Sequence, residues 1–165
     1  MHMPDPVAEA FARQITVELA SSAAYLQMSI FFADQNLTGM SSWMRAQSDE
    51  ERDHALRFLD FAVDRGHAPS IGEVPPPATD FKGPEEVFEV ALRQERQVTQ
   101  AIHDLHRLAL DEGDLASVPF LLDFVSEQTE EEAAVETILD RIRLADGEPS
   151  AVLILDRELG DRASG

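Results

Sequence analysis

Apolar residues recur at steps of three and four along four stretches of the 165-residue chain, and this spacing places them on one face of an α-helix. Each of these faces should be buried, because a helix packed into a globular core turns its apolar stripe inward. A glutamate interrupts every stripe near its middle. The stripes are Phe11, Ile15, Glu18, Ser22, Tyr25, Ser29 and Phe32; Met40, Met44, Gln47, Glu51, His54, Phe58 and Phe61; Phe88, Ala91, Glu95, Val98, Ile102, Leu105 and Ala109; and Leu121, Phe124, Gln128, Glu131, Val135, Ile138 and Ile142.

Proline and glycine residues divide the sequence into five helices and one long loop. We predict helices over about residues 6–34, 40–65, 84–112, 115–145 and 150–159, with a crossover loop over 67–83. Asp114 is expected to cap the fourth helix. At about 3.5 Å per residue, the loop is long enough to run the length of a helix of about 40 Å, so the second and third helices point the same way. The prediction is one all-α domain over 1–165, a four-helix bundle with one crossover and a short fifth helix.

The net charge of −19, from 32 acidic residues against 13 lysines and arginines, restricts the partners of the chain. Nucleic acids and anionic membranes attract basic surfaces, so no nucleic acid and no membrane partner is expected. The absence of cysteine excludes disulfides, thiolate zinc sites and iron–sulfur clusters. No apolar run predicts a membrane span, and no N-terminal pattern predicts a secretory signal, so we expect a cytoplasmic location.

The four interrupting glutamates are expected at one height in the bundle. A carboxylate buried alone is costly, whereas two divalent cations would balance four such charges. His54 follows Glu51 by three residues and Gln128 precedes Glu131 by three, so each pair shares a helix face. Carboxylate oxygens with an imidazole nitrogen favour iron, manganese or zinc over calcium. The alternative is a buried hydrogen-bond network of neutralised acids, which would concentrate several desolvation costs in one layer.

Four segments resemble bacterial non-haem ferritins, and the likeness covers nearly the whole chain. They are 17–25 (VELASSAAY), 50–54 (EERDH), 94–100 (QERQVTQ) and 125–131 (VSEQTEE). The resemblance implies a ferritin-like fold. It also implies a ferroxidase that oxidises Fe²⁺ with dioxygen or hydrogen peroxide and stores ferric mineral inside a homo-oligomeric shell of twenty-four subunits.

The resemblance assigns the polar stripe residues to a site for two iron ions. Glu51 would bridge the ions, with His54 on the side of the first ion and Glu131 on the side of the second. Gln128 would lie near the first ion. The expected metal-binding and catalytic set is Glu18, Glu51, His54, Glu95, Gln128 and Glu131.

Residues beside this set have more than one interpretation. Glu50, Glu127 and Glu130 match the ligands of a third iron site in bacterial ferritins, and the alternative is a solvated acidic face. Tyr25 lies one helical repeat from Glu18, so the resemblance favours an electron donor or hydrogen-bond donor to the site. The alternative for Tyr25 is a buried tyrosine with a satisfied hydroxyl.

Some positions depart from related families. Bacterioferritins bind haem through a methionine directly after the bridging glutamate, and because Arg52 stands there, no haem is expected. Two other functions remain: a soluble di-iron oxidase or peroxidase of the same fold that does not store iron, and a non-catalytic acidic metal-binding protein. The apolar segment 152–155 favours the shell, since in ferritins this segment packs around a fourfold axis; alternatively it folds onto its own bundle.

Overall fold

The computed structural model describes residues 2–164, which form five helices and, over that range, no strand. The helices are α1 (Asp5–Asp34), α2 (Thr38–Asp64), α3 (Pro84–Asp111), α4 (Ser117–Ala145) and α5 (Pro149–Ala163). The prediction of an all-α bundle with a long loop and a short fifth helix is confirmed.

Contacts made in order along the helices fix their directions. As the residue numbers rise along α1, the numbers of their partners fall along both α2 and α3. Helix α1 is therefore antiparallel to both, α2 and α3 are parallel, and the connection between α2 and α3 must cross the length of the bundle. The ordered contacts are Ser22–Ser48 and Ser29–Ser41 between α1 and α2, and Tyr25–Glu95 and Phe32–Phe88 between α1 and α3.

A polar layer divides the core into two apolar clusters. On every long helix, the polar stripe residue stands in sequence between members of one cluster and members of the other. The stripe positions are buried as predicted, except that Ser22, Phe61 and Glu131 are half-buried. One cluster is built around Phe32, Met44 and Phe88, and the other around Phe11, Phe58 and Phe124.

Helix α5 packs closely against the start of α2. The Asp156 carboxylate accepts the Met40 N–H at 2.7 Å, so α5 supplies a hydrogen bond that the N-terminus of α2 needs. A Cβ added at Gly39 would lie 1.7 Å from the Asp156 carbonyl oxygen, so the approach requires glycine. A Cβ at Gly160 would lie 3.0 Å from the Gly39 Cα. Helix α5 continues through Gly160 and reaches Ala163, instead of ending near residue 159 as predicted.

Asp114 does not cap α4, contrary to the sequence-based expectation. Helix α4 begins at Ser117, with Ala116 at the preceding position. The Asp114 carboxylate instead accepts hydrogen bonds from Arg65 Nη2 at 2.7 Å and from Ser117 Oγ at 2.6 Å. This buried carboxylate therefore ties the end of α2 to the turn between α3 and α4.

Helix α1 is, among the described residues, the one helix long and apolar enough to cross a membrane by length and composition. The expectation that no segment would meet those criteria was therefore wrong for this helix. Its buried face carries Gln14, Glu18 and Tyr25, and it packs against α2 and α3. These are the properties of a core helix of a folded bundle.

Candidate metal centre

Three of the sequence-predicted ligands form a tight buried cluster. Glu18 comes from α1, and Glu51 and His54 come from α2, one helical turn apart. Their ligand atoms all lie within 4.8 Å of one another. The His54 Nδ1 atom is 4.0 Å from Glu18 Oε2, so imidazole and carboxylate face the same point.

Among residues 2–164, several atoms of this cluster lack any hydrogen-bond partner. They are Glu18 Oε2, both carboxylate oxygens of Glu51 and His54 Nδ1, and all are shielded from solvent. A buried polar atom left unpaired costs about 1–3 kcal/mol, and more if it is charged. A divalent cation between these atoms would satisfy all of them, so the residues fit a metal ion of the carboxylate–imidazole type.

Glu95 and Glu131 complete the acidic layer from α3 and α4. The Tyr25 hydroxyl donates to Glu95 Oε1, and Gln128 Nε2 donates to Glu95 Oε2 at 3.2 Å. Glu95 is fully buried, whereas Glu131 is half-buried. Both carboxylates lie close enough to Glu51 for their charges to raise its pKa, after the larger effect of burial.

Burial is the main cause that raises the pKa of every carboxyl group in the layer. The pKa values of Glu18, Glu51 and Glu95 all lie above the usual range. For Glu131, burial and then the charges of Glu50 and Glu95 raise the pKa to about 8. In the metal-free protein Glu131 therefore retains a proton at neutral pH, and a bound cation would displace it.

Tyr25 is a fully buried, neutral hydrogen-bond donor. Burial, followed by the neighbouring Glu95 carboxylate, raises the pKa of the Tyr25 phenol well above 10. Its hydroxyl therefore keeps its proton and holds one Glu95 oxygen in place. This geometry fits both a hydrogen-bond donor to the site and the alternative of a buried tyrosine with a satisfied hydroxyl.

The structure does not bring together the three residues expected to hold a third ion. Glu50 and Glu130 are exposed and Glu127 is half-buried. Within the described part of the chain, their carboxylates do not form a cluster as tight as that of Glu18, Glu51 and His54. These three acids flank the buried layer from the side of the bundle.

Sequence reasoning missed two residues that contact the predicted ligands. Gln14 is buried and donates from Nε2 to Glu18 Oε1 at 2.8 Å, which leaves Glu18 Oε2 for the cluster. Arg57 pairs with Glu127 at 2.8 Å. The available signal was helical spacing, because Gln14 precedes Glu18 by four residues and Arg57 follows His54 by three.

Comparisons with known proteins agree with this fold. A family model described as "Ferritin-like domain" matches residues 8–145. The bacterial non-heme ferritin of Bacteroides fragilis is 36% identical over 153 residues, covering 93% of this chain and 95% of that protein. The bacterial non-heme ferritin of Escherichia coli is 32% identical over 151 residues, covering 92% of each chain. An open pore ferritin of the archaeon Archaeoglobus fulgidus superimposes with a TM-score of 0.95 at 37% identity, covering 97% of this chain and 98% of the other.

Proposed function

Because the chain belongs to the ferritin-like family, whose members bind and store iron, we propose that it is an iron-storage protein with ferroxidase activity. In this proposal, two Fe²⁺ ions bind within one subunit and are oxidised there. The observation that carries the proposal is the buried cluster of Glu18, Glu51 and His54, with four ligand atoms that have no hydrogen-bond partner among the described residues.

The proposed ligand sets follow the positions of the side chains. Glu18, Glu51 and His54 would hold the first ion, with Gln128 nearby. Glu51 would bridge to the second ion, which Glu95 and Glu131 would also hold. The support is that both carboxylates raise the pKa of Glu51 and so share its electrostatic environment.

The carboxylate layer favours oxidation of the bound iron. Hard anionic oxygen ligands stabilise Fe³⁺ more than Fe²⁺, because the higher charge gains more from each negative ligand. Two ferrous ions would give two electrons, which dioxygen or hydrogen peroxide would accept. Tyr25, through its bond to Glu95, would keep one carboxylate oriented toward the second ion throughout the reaction.

The ferric product is proposed to collect in the cavity of a homo-oligomeric shell, for which twenty-four subunits is the expected number. Exposed apolar residues near the C-terminal helix support assembly, because Leu144 and Ile154 line one surface depression and monomers rarely expose contiguous apolar patches. Leu144 is 85% exposed, Leu153 58% and Ile154 60%. An excess of 19 negative charges per chain would also suit the retention of iron cations.

The direct test of the oxidation site is Glu51→Ala. This substitution removes the proposed bridge, so rapid formation of ferric absorbance after mixing with aerobic Fe²⁺ should be lost in stopped-flow measurements. Glu136→Gln is the matched control, because Glu136 is an exposed acid of α4 that pairs with Arg96 and stands outside the cluster. If Glu51→Ala oxidised iron at the wild-type rate, oxidation would have to occur elsewhere.

A further inference from the structure

Three side chains form a line from the surface of the bundle to the buried cluster. Arg57 Nη1 binds both carboxylate oxygens of Glu127, at 2.9 and 2.8 Å. The Arg57 guanidinium also lies over the Phe124 ring, 4.1 Å from its centroid. At the other end, Glu127 Oε2 is 3.3 Å from His54 Nε2. Arg57 and His54 thus share one carboxylate between them.

This arrangement selects the form of the His54 ring. A ring nitrogen that faces a carboxylate carries the proton, so neutral His54 has its hydrogen on Nε2. The lone pair is then on Nδ1, which faces Glu18 Oε2 at 4.0 Å and has no hydrogen-bond partner in the part of the chain that the structure describes. Histidines that ligate metals usually donate their other N–H to a carboxylate or carbonyl in this way.

We propose that Arg57 is a positioning residue that holds Glu127 against His54. The site for two metal ions at Glu18, Glu51 and His54 thereby fills before a third ion can bind. The inference rests on the proposed function, since it assumes ions at Glu18, Glu51 and His54 and a later ion at Glu50, Glu127 and Glu130. In the observed arrangement, both Glu127 oxygens are bonded to Arg57, and one also faces His54. A third ion that uses Glu127 would therefore compete with these contacts for the same carboxylate oxygens.

The contacts predict a competition with a definite sign. When Arg57 holds Glu127, the orientation of His54 favours the first ion and the third position lacks a ligand. When Arg57 is removed, Glu127 is free to turn toward Glu50 and Glu130. Loss of Arg57 should therefore weaken the first position and strengthen the third, because both use the same carboxylate.

A plain surface ion pair would behave differently. Both side chains of the pair are more than a third exposed, and pairs of this kind contribute little to stability. Arg57 could equally act only by packing on Phe124. Either role would be independent of Glu127 as a partner of His54, so a double-mutant cycle separates them from the proposed one.

The test uses the assembled protein and Zn²⁺, a divalent ion that binds without redox chemistry. Calorimetric titration gives the affinity of the first position, and anomalous density in zinc-soaked crystals gives the occupancy of each position. Arg57→Gln should lower the affinity of the first position about tenfold, the usual scale for loss of a partner behind a metal-ligating histidine. It should also raise the zinc occupancy beside Glu50 and Glu130. Arg143→Gln, which removes a surface arginine bonded to Glu85 and Glu89, is the control.

Glu127→Ala supplies the other half of the cycle. It should weaken the first position as Arg57→Gln does, but it should abolish the third position instead of strengthening it. In the Glu127→Ala background, adding Arg57→Gln should change the affinity less than twofold.

Three results would overturn the inference. One is an Arg57→Gln protein whose affinity and zinc occupancies match those of Arg143→Gln. Another is an effect of Arg57→Gln that persists at full size without Glu127. The third is a wild-type protein with no zinc at Glu18, Glu51 and His54, which would overturn the proposed function as well; the first two would leave that function intact.

Discussion

Removing the negative charge of Glu131 should stabilise the metal-free protein, and only at high pH. Burial and the neighbouring charges raise the Glu131 pKa from 4.5 to about 8. In the pH range between these values, the folded state binds a proton that the unfolded state has released, so the free energy of unfolding falls as pH rises. This loss begins near pH 4.5, is complete just above pH 8, and does not occur in Glu131→Gln, which has no group to ionise.

The size of the effect follows from the shift. About 3.5 pH units at about 1.4 kcal/mol each give an upper limit of roughly 5 kcal/mol. Because Glu131 is half-buried, solvent screening reduces this to about 2 kcal/mol. For a chain of this length, about 2 kcal/mol corresponds to roughly 4–8 °C in the melting temperature.

The assay is thermal unfolding of EDTA-treated protein at intervals from pH 5 to pH 8.5. Wild type and Glu131→Gln should melt together near pH 5, and Glu131→Gln should melt about 4–8 °C higher at pH 8.5. Glu136→Gln, on an exposed part of the same helix, is the control for the loss of any acid. The reasoning would be refuted if the difference in melting temperature between wild type and Glu131→Gln stayed the same from pH 5 to pH 8.5.

Two further substitutions test other parts of the structure. Gly39→Ala places a Cβ 1.7 Å from a carbonyl oxygen of α5, and no side-chain rotation can relieve this contact. The substitution should lower the free energy of unfolding by about 1–3 kcal/mol and disturb oligomerisation. Melting temperature and light scattering measure the two effects. Tyr25→Phe removes the donor to Glu95 Oε1, so the second ion should bind about tenfold more weakly in zinc titrations while the first is retained.

Each of these substitutions has a control within the chain. Gly83→Ala adds the same methyl group where nothing lies within 4 Å, so it should leave the melting temperature and particle size unchanged. If Gly39→Ala matched Gly83→Ala, the close packing of α5 on α2 would be wrong. Phe31→Leu is the control for Tyr25→Phe, because Phe31 is a partly buried aromatic residue of α1 that packs against the apolar cluster that contains Tyr25. A Tyr25→Phe protein with both zinc affinities unchanged would show that the hydroxyl does not orient Glu95.

The sequence was sufficient to predict the bundle because its signals are periodic and local. The stripes through Glu18, Glu51 and Glu95 identified residues that are buried in the structure. The length of the segment 67–83 was enough to predict parallel second and third helices, since only a crossover could use so long a connection.

The features that sequence reasoning missed depend on contacts between distant parts of the chain. Gly39 and Gly160 both have the appearance of helix terminators, yet their role is to let α5 approach α2. Asp114 has the appearance of a cap, but Arg65, forty-nine residues earlier, binds it instead. The spacing of Arg57 from His54 was visible, but its partner Glu127 lies seventy residues away, and a single sequence does not record that pairing.

Aerobic loading with increasing amounts of Fe²⁺, followed by isolation of the particle, tests the central proposal most directly. The particle mass and the iron retained per chain should be measured on the same sample. We expect a large assembly that retains far more iron per chain than about three ions, the most that the proposed ligand positions could hold. A small oligomer that saturates at about two ions per chain would contradict storage and favour an oxidase of the same fold.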